Sequence, residues 1–103
     1  MEPLKKQLVR PLGEVIQLSP TALNSPNLRK KLDAAMKTVN EKRNQPLNLV
    51  ELISATKQVI NGIKYVFQVK LREDGDEVVK DYKIGYLEML GEKSNVQVTL
   101  QDA

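Results

Sequence analysis

The sequence contains no cysteine and no histidine among its 103 residues. Without cysteine there is no disulfide framework, which is compatible with a reducing compartment. Without histidine the chain lacks the commonest general base and the commonest metal ligand, and neither a Ser-His-Asp nor a Cys-His nucleophile system can be assembled. Enzymes that use only carboxylates remain open, but the two absences favour a protein that is not an enzyme and needs no cofactor.

Long apolar runs are also missing, so no segment reaches the roughly 18 apolar residues that a membrane-spanning helix needs. The first residues lack the apolar core of a secretion signal. We therefore expect a cytoplasmic protein, or a secreted one if a signal has been removed.

Aromatic residues are few. They are Tyr65, Phe67, Tyr82 and Tyr86, and their spacing suits strand interiors. The net charge of +3 is mildly basic, but the basic residues do not cluster with aromatics as nucleic-acid binders require. No nucleic-acid or membrane partner is expected.

The length predicts a single domain over residues 1–103, with residues 1–12 as a mobile arm. A hydrophobic content of 41% is enough for a globular core. The densest acidic segment, Glu73–Glu77, contains an Asp-Gly pair and lacks the ligand spacing of a calcium loop, so it is interpreted as a hairpin turn.

One amphipathic helix is predicted from about Pro26 to about Lys42. Ser25 can cap its free amides, and proline is tolerated at the first helical position. The apolar residues that recur at helical spacing are Leu28, Leu32, Ala35, Met36 and Val39. The Ser-Pro pairs at 19–20 and 25–26 are interpreted as breakers around a short polar stretch.

Four strands are predicted after the helix, following a short extended piece near Val15. Ile63–Arg72 alternates apolar and polar residues, as a half-buried antiparallel strand does. Leu47–Lys57 alternates less cleanly, which predicts a bulge or bend. From Val78 to Met89 the phase changes near Gly85, which predicts a second bulge. A turn over 91–95 leads to the last strand, and short loops between consecutive strands indicate an antiparallel meander.

The turn between the first two long strands is the most informative feature. Its sequence is Gln58-Val59-Ile60-Asn61-Gly62, in which the Asn-Gly pair tolerates positive φ and is a strong hairpin signal. Val59 and Ile60 stand beside the turn, where polar residues are usual. Large apolar side chains at an exposed tip are costly in water unless a partner covers them.

This turn resembles the first binding loop of the cystatins, whose signature is Gln-Val-Val-Ala-Gly. The resemblance extends to Tyr65, three residues past Gly62, and to the helix segments 32–36 and 39–42, with Leu-Asp early and Asn40 near the end. It covers roughly residues 28–100. It implies an α+β, cystatin-like fold with one α-helix packed across a curved four- to five-stranded antiparallel sheet. The missing cysteines favour a stefin-like member.

The resemblance also implies a function, the reversible inhibition of papain-like cysteine proteases of the cathepsin type. In that family an N-terminal arm and two hairpin loops form a wedge that occludes the active-site cleft, and no peptide carbonyl is presented for cleavage. By position, the protease-binding residues here are Leu12 and Gly13 of the arm, Gln58, Val59, Ile60, Asn61 and Gly62 of the first loop, and Leu90 and Gly91 of the second.

The sequence departs from the family pattern in three places. Asn61 stands where alanine is usual, the second loop has neither Pro-Trp nor the proline of Leu-Pro-Gly, and Gly13 is farther from the helix than usual. These departures bear on affinity rather than on fold.

Three alternatives remain open. The chain could be a non-inhibitory cystatin-fold module, such as a protease pro-region or interaction domain, since a fold alone does not carry function. The Pro-Leu-Gly segment at 11–13 could be only a turn before the first strand. The basic helix face could bind anions or a membrane surface. A monomer is expected, and a domain-swapped dimer is the alternative.

Overall fold

A computed structural model describes residues 14–60, 62–89 and 95–103. Within them the chain forms one antiparallel sheet with the strand order β1-β2-β3-β4-β5 and helices on the stretch between β1 and β2. The predicted α+β architecture is confirmed. The elements in chain order are β1 (Val15–Gln17), α1 (Pro20–Leu23), α2 (Pro26–Glu41), β2 (Leu47–Val59), β3 (Gly62–Glu73), β4 (Val79–Met89) and β5 (Asn95–Asp102).

Helix α2 occupies the predicted segment and buries the predicted stripe. Its buried residues are Leu28, Leu32, Ala35, Met36 and Val39. Pro26 begins the helix as expected, and Lys42 is its C-cap. Ser25 occupies the N-cap in an extended conformation, but its side chain makes no capping hydrogen bond, so that detail of the prediction was wrong.

The stretch between the two Ser-Pro pairs, which were interpreted as breakers around a polar stretch, forms a short helix, α1. The Oγ of Ser19 accepts a hydrogen bond from the backbone N–H of Ala22 at 3.2 Å. Pro20 stands at the first helical position, where its missing N–H costs nothing. The signal that was interpreted as a breaker was therefore a helix start.

The core lies between α2 and one face of the sheet. The described residues contain no buried polar or charged residue. Burying a large apolar side chain fully, rather than leaving it exposed, stabilises the fold by about 1.5–3 kcal/mol. The largest fully buried side chains are Phe67, Leu32, Leu47, Leu71, Ile84 and Val69.

Strand β2 contains the predicted irregularity, in two places. Its register against β3 shifts between Leu49 and Glu51 and again between Leu52 and Ser54. Each shift adds one residue to β2, so Val50 and Ile53 are exposed while Leu49 and Leu52 pack on the core. These two bulges explain why apolar and polar residues alternate irregularly in this part of the sequence.

The bulge predicted at Gly85 is absent, and that prediction was wrong. Strand β4 keeps an unbroken register against both β3 and β5. The phase change arises because Leu87 and Met89 lie on the sheet face opposite Ile84. Gly85 serves packing instead, since a Cβ there would lie 2.5 Å from the Oγ1 of Thr99. Val78, predicted within this strand, precedes its first residue.

Two contacts fix the end of the sheet that is remote from the β2–β3 loop. The side-chain amide of Asn40 donates to the carbonyl of Leu47 at 3.0 Å, and its Oδ1 accepts the N–H of Leu47 at 2.8 Å.

The β3–β4 turn passes through Gly75 at a φ of 86°, which confirms the turn predicted over the acidic segment.

Candidate functional site

Three segments of the chain reach the same end of the sheet. Val15 begins β1 and pairs with Gln58 near the end of β2. Met89 ends β4, pairs with Gly62 on one side, and pairs with Asn95 on the other. We call this the hairpin end, defined by Val15, Gln58–Ile60, Gly62, Met89 and Asn95. Neighbouring strands are about 4.8 Å apart, so the hairpin end is roughly 20 Å wide.

The first hairpin places two large apolar side chains at this end. Val59 is the last residue of β2 and is 38% exposed, and Ile60 follows it and is 43% exposed. The N–H of Ile60 donates to the carbonyl of Gly62 at 2.9 Å, so the ladder continues almost to the tip. The two side chains are therefore partly exposed at the end of the β2–β3 ladder.

Gly62 is buried, and the neighbouring strand β4 explains why a glycine is needed at this position. The predicted role for it was positive φ in an Asn-Gly turn, but its φ is not positive, so that explanation was wrong. A Cβ at this position would overlap the carbonyl oxygen of Glu88 in β4. Glycine is required because the backbone of β4 passes directly over it, and this contact locks the first hairpin to the strand that leads to the second.

Gln58 lies on the outer sheet face, opposite the core. It is half-buried, and its neighbours across the strands are Val15 and Lys64. These residues border a shallow cavity of about 240 Å³ whose other lining side chains are mostly neutral and polar. The outer face beside the tip is thus largely polar, and the exposed large apolar side chains among the described residues of the hairpin end are Val15, Val59 and Ile60.

A charged cluster that sequence reasoning missed supports the hairpin end from the core side. Lys31 of α2 donates a hydrogen bond to Glu88. Its Nζ lies 5.5 Å from the ring centroid of Tyr65 and 5.7 Å from that of Tyr86. The hydrogen bond and charge of Glu88 raise the pKa of Lys31, against a smaller opposing effect of burial. No local pattern predicts a pair separated by 57 positions.

The remaining predicted site residues are Leu12, Gly13, Asn61, Leu90 and Gly91, and they lie outside the described residues. Their chain neighbours locate their attachment points. Gly13 precedes Val15 by two positions, and Leu90 directly follows Met89. Both attachment points belong to the hairpin end.

Across residues 14–60, 62–89 and 95–103, no group of three or more acidic side chains could hold a metal ion. In the same ranges no helix is long and apolar enough to cross a membrane. The hairpin end offers apolar side chains on a preorganised backbone, which suits burial in a groove of another protein.

The fold and the hairpin end define a protein of the α+β class, in which a helix packs against a five-stranded antiparallel sheet. A family model described as "Cystatin domain" matches residues 16–99. The chain therefore belongs to the cystatin family, and the resemblance noted from the sequence is confirmed. Members of that family are typically non-enzymatic inhibitors with protease partners. A comparison with curated proteins finds no match.

Proposed function

We propose that this protein is a reversible inhibitor of papain-like cysteine proteases that acts by occluding the active-site cleft. The observation that carries the proposal is the pair Val59 and Ile60, which are exposed at the end of a regular hairpin. Exposed apolar side chains on a rigid support bind an apolar groove with little loss of conformational entropy.

The arrangement of the strands supports a wedge with three parts. The segment before Val15, the tip after Val59 and the segment after Met89 all start at the hairpin end. We propose that Leu12 and Gly13 lie along the non-primed substrate pockets, where an extended arm can form backbone hydrogen bonds. Leu90 and Gly91 would enter the cleft beside the first loop, together with Gln58, Asn61 and Gly62.

The test is a titration of papain activity with the purified chain and with Val59→Asp. Burial of a valine contributes about 1.5–3 kcal/mol, so its replacement by a charge weakens inhibition by roughly 10-fold to 100-fold or more. Val78→Asp is the matched control, because Val78 is 55% exposed at the opposite end of the sheet. It should leave inhibition unchanged.

A chain lacking residues 1–13 completes the experiment. The remaining protein keeps every element of the described sheet, so it should fold, and loss of the arm should weaken inhibition. Absence of inhibition by the intact chain at micromolar concentration would contradict the proposal and leave a non-inhibitory cystatin-fold module. Equal inhibition by the Val59→Asp protein would exclude the first loop as the contact.

A further inference from the structure

Strand β5 forms one edge of the sheet. It pairs with β4 along its whole length, and no strand of the described residues pairs with its other side. An edge of this kind presents a row of unpaired N–H and C=O groups to any extended chain that approaches it.

The hydrogen bond at the end of the strand determines which residues face outward. The N–H of Ala103 donates to the carbonyl of Asp81 at 3.1 Å, in register with the β4–β5 ladder. Backbone groups alternate in direction along an antiparallel strand. The odd-numbered residues of β5 therefore bond to β4, and Val96, Val98, Leu100 and Asp102 direct their N–H and C=O groups to the free edge.

This edge lacks the features that usually prevent pairing. Residues 96–101 contain no charge and no proline, and the register of β5 is regular. Strand β2, by contrast, has two bulges along the part of its outer side that β1 leaves uncovered. Bulges and charges are the ordinary protection of an edge, so the two edges of this sheet differ in their ability to take up another strand.

On its core side, β5 carries an exposed apolar side chain toward one end and borders a groove toward the other. Val96, toward one end of the strand, is 45% exposed. Toward the other end, a groove of about 190 Å³ lies between α2 and β5. Val39, Val98 and Leu100 supply its apolar lining, and Thr38, Lys42 and Arg43 complete it. An exposed apolar side chain and a partly apolar groove thus lie toward opposite ends of the uncharged segment 96–101.

We propose that β5 pairs antiparallel with β5 of a second copy of this chain, about a two-fold axis through Val98. In this register Val96 of each copy lies opposite Leu100 of the other and beside its groove. The outward backbone groups of Val96, Val98 and Leu100 form about six hydrogen bonds between the copies. A two-fold pairing satisfies both ends at once, because each end meets its complement.

The inference does not depend on the proposed inhibition. The contact is confined to one strand and its groove, so it forms a weak dimer that dissociates on dilution. Each copy keeps its own β2–β3 hairpin, which distinguishes this dimer from one formed by exchange of that hairpin.

Amide hydrogen exchange at two protein concentrations, about 10 μM and about 1 mM, tests the pairing. At the lower concentration the amides of Val96, Val98 and Leu100 should exchange rapidly, while those of Gln97 and Thr99, bonded to β4, are protected. At the higher concentration the even-numbered amides should become at least about 10-fold more protected. Light scattering should show the mass rising from 11.6 kDa toward twice that value.

Val96→Lys should abolish the rise in mass, because it places a charge in the groove of the second copy. Val79→Lys is the matched control, since Val79 is similarly exposed, at 42%, and lies beyond the end of the β4–β5 ladder. A mass that stays at one chain at about 1 mM overturns the proposal. A dimer whose even-numbered amides stay unprotected also overturns it, because another surface then forms the contact.

Discussion

A methyl group at position 62 would meet the carbonyl oxygen of Glu88, so Gly62→Ala tests how closely β3 and β4 pack. We expect it to lower the free energy of unfolding by about 1–3 kcal/mol, the range for overpacking, because backbone on both sides must shift. Urea unfolding measures the change. Gly75→Ala is the comparison. An added Cβ there meets open space, and its only cost is the positive φ of 86°, which alanine tolerates poorly. A larger loss of stability for Gly75→Ala than for Gly62→Ala would contradict this account.

The pair Lys31–Glu88 makes a prediction about pH. The pKa of Lys31 is raised above its usual 10.5, so the folded state holds this proton more tightly than the unfolded state. The pair therefore stabilises the fold fully below pH 10.5, and this contribution is lost as the pH rises through the folded pKa.

We expect Lys31→Met to cost about 0.5–1 kcal/mol near neutral pH, a modest value because both side chains are partly exposed. Urea unfolding at about pH 9 and about pH 11.5 should give a smaller fall in stability for this variant than for the unchanged chain. Lys30→Met is the control, as Lys30 is exposed one position away. If both variants behave alike, the pair contributes nothing specific.

At the residue scale, the sequence predicted which positions matter better than it predicted why each residue is needed there. It placed Val59 and Ile60 at an exposed tip, and they are exposed there. It singled out Gly62 for its backbone freedom, whereas the constraint comes from β4. The Lys31–Glu88 pair was missed because nothing local specifies which of many charged residues will meet across the fold.

At the scale of elements, Asn40 connects the last turn of α2 to the first residue of β2. Its two hydrogen bonds satisfy both backbone groups of the buried Leu47. We expect Asn40→Ala to lower the free energy of unfolding by about 1–3 kcal/mol, since it leaves a buried donor and acceptor unpaired. Asn44→Ala, at an exposed position in the same connection, should change it by less than about 0.5 kcal/mol. Equal effects would mean that Asn40 does not tie the elements together.

Periodicity was a good guide to the elements where one face is buried. The stripe on α2 and the alternation of β3 were both read correctly, because burial imposes the 3.6-residue and two-residue repeats directly. It failed where two explanations give the same pattern. A bulge and a pair of apolar residues on the outer face both change the phase, and β2 has the first while β4 has the second.

Over the whole molecule, short loops between consecutive strands were enough to predict an antiparallel meander, and the strand order confirms it. The same topology brings the arm attachment and both hairpins to one end, because alternate connections in a meander share an end. The sequence could not predict the difference between the two sheet edges. That difference depends on how far β1 covers β2, and only three residue pairs join those strands.

Any residue other than glycine at position 62 would overlap the carbonyl oxygen of Glu88, so this position must stay constant while its neighbours in the loop can vary. Since the steric requirement falls on position 62, the exposed side chains of Val59 and Ile60 can be randomised without disturbing the scaffold. A display library built at 59 and 60 with glycine retained at 62 would keep its folded background, and selection from it could retarget the tip to clefts of other shapes.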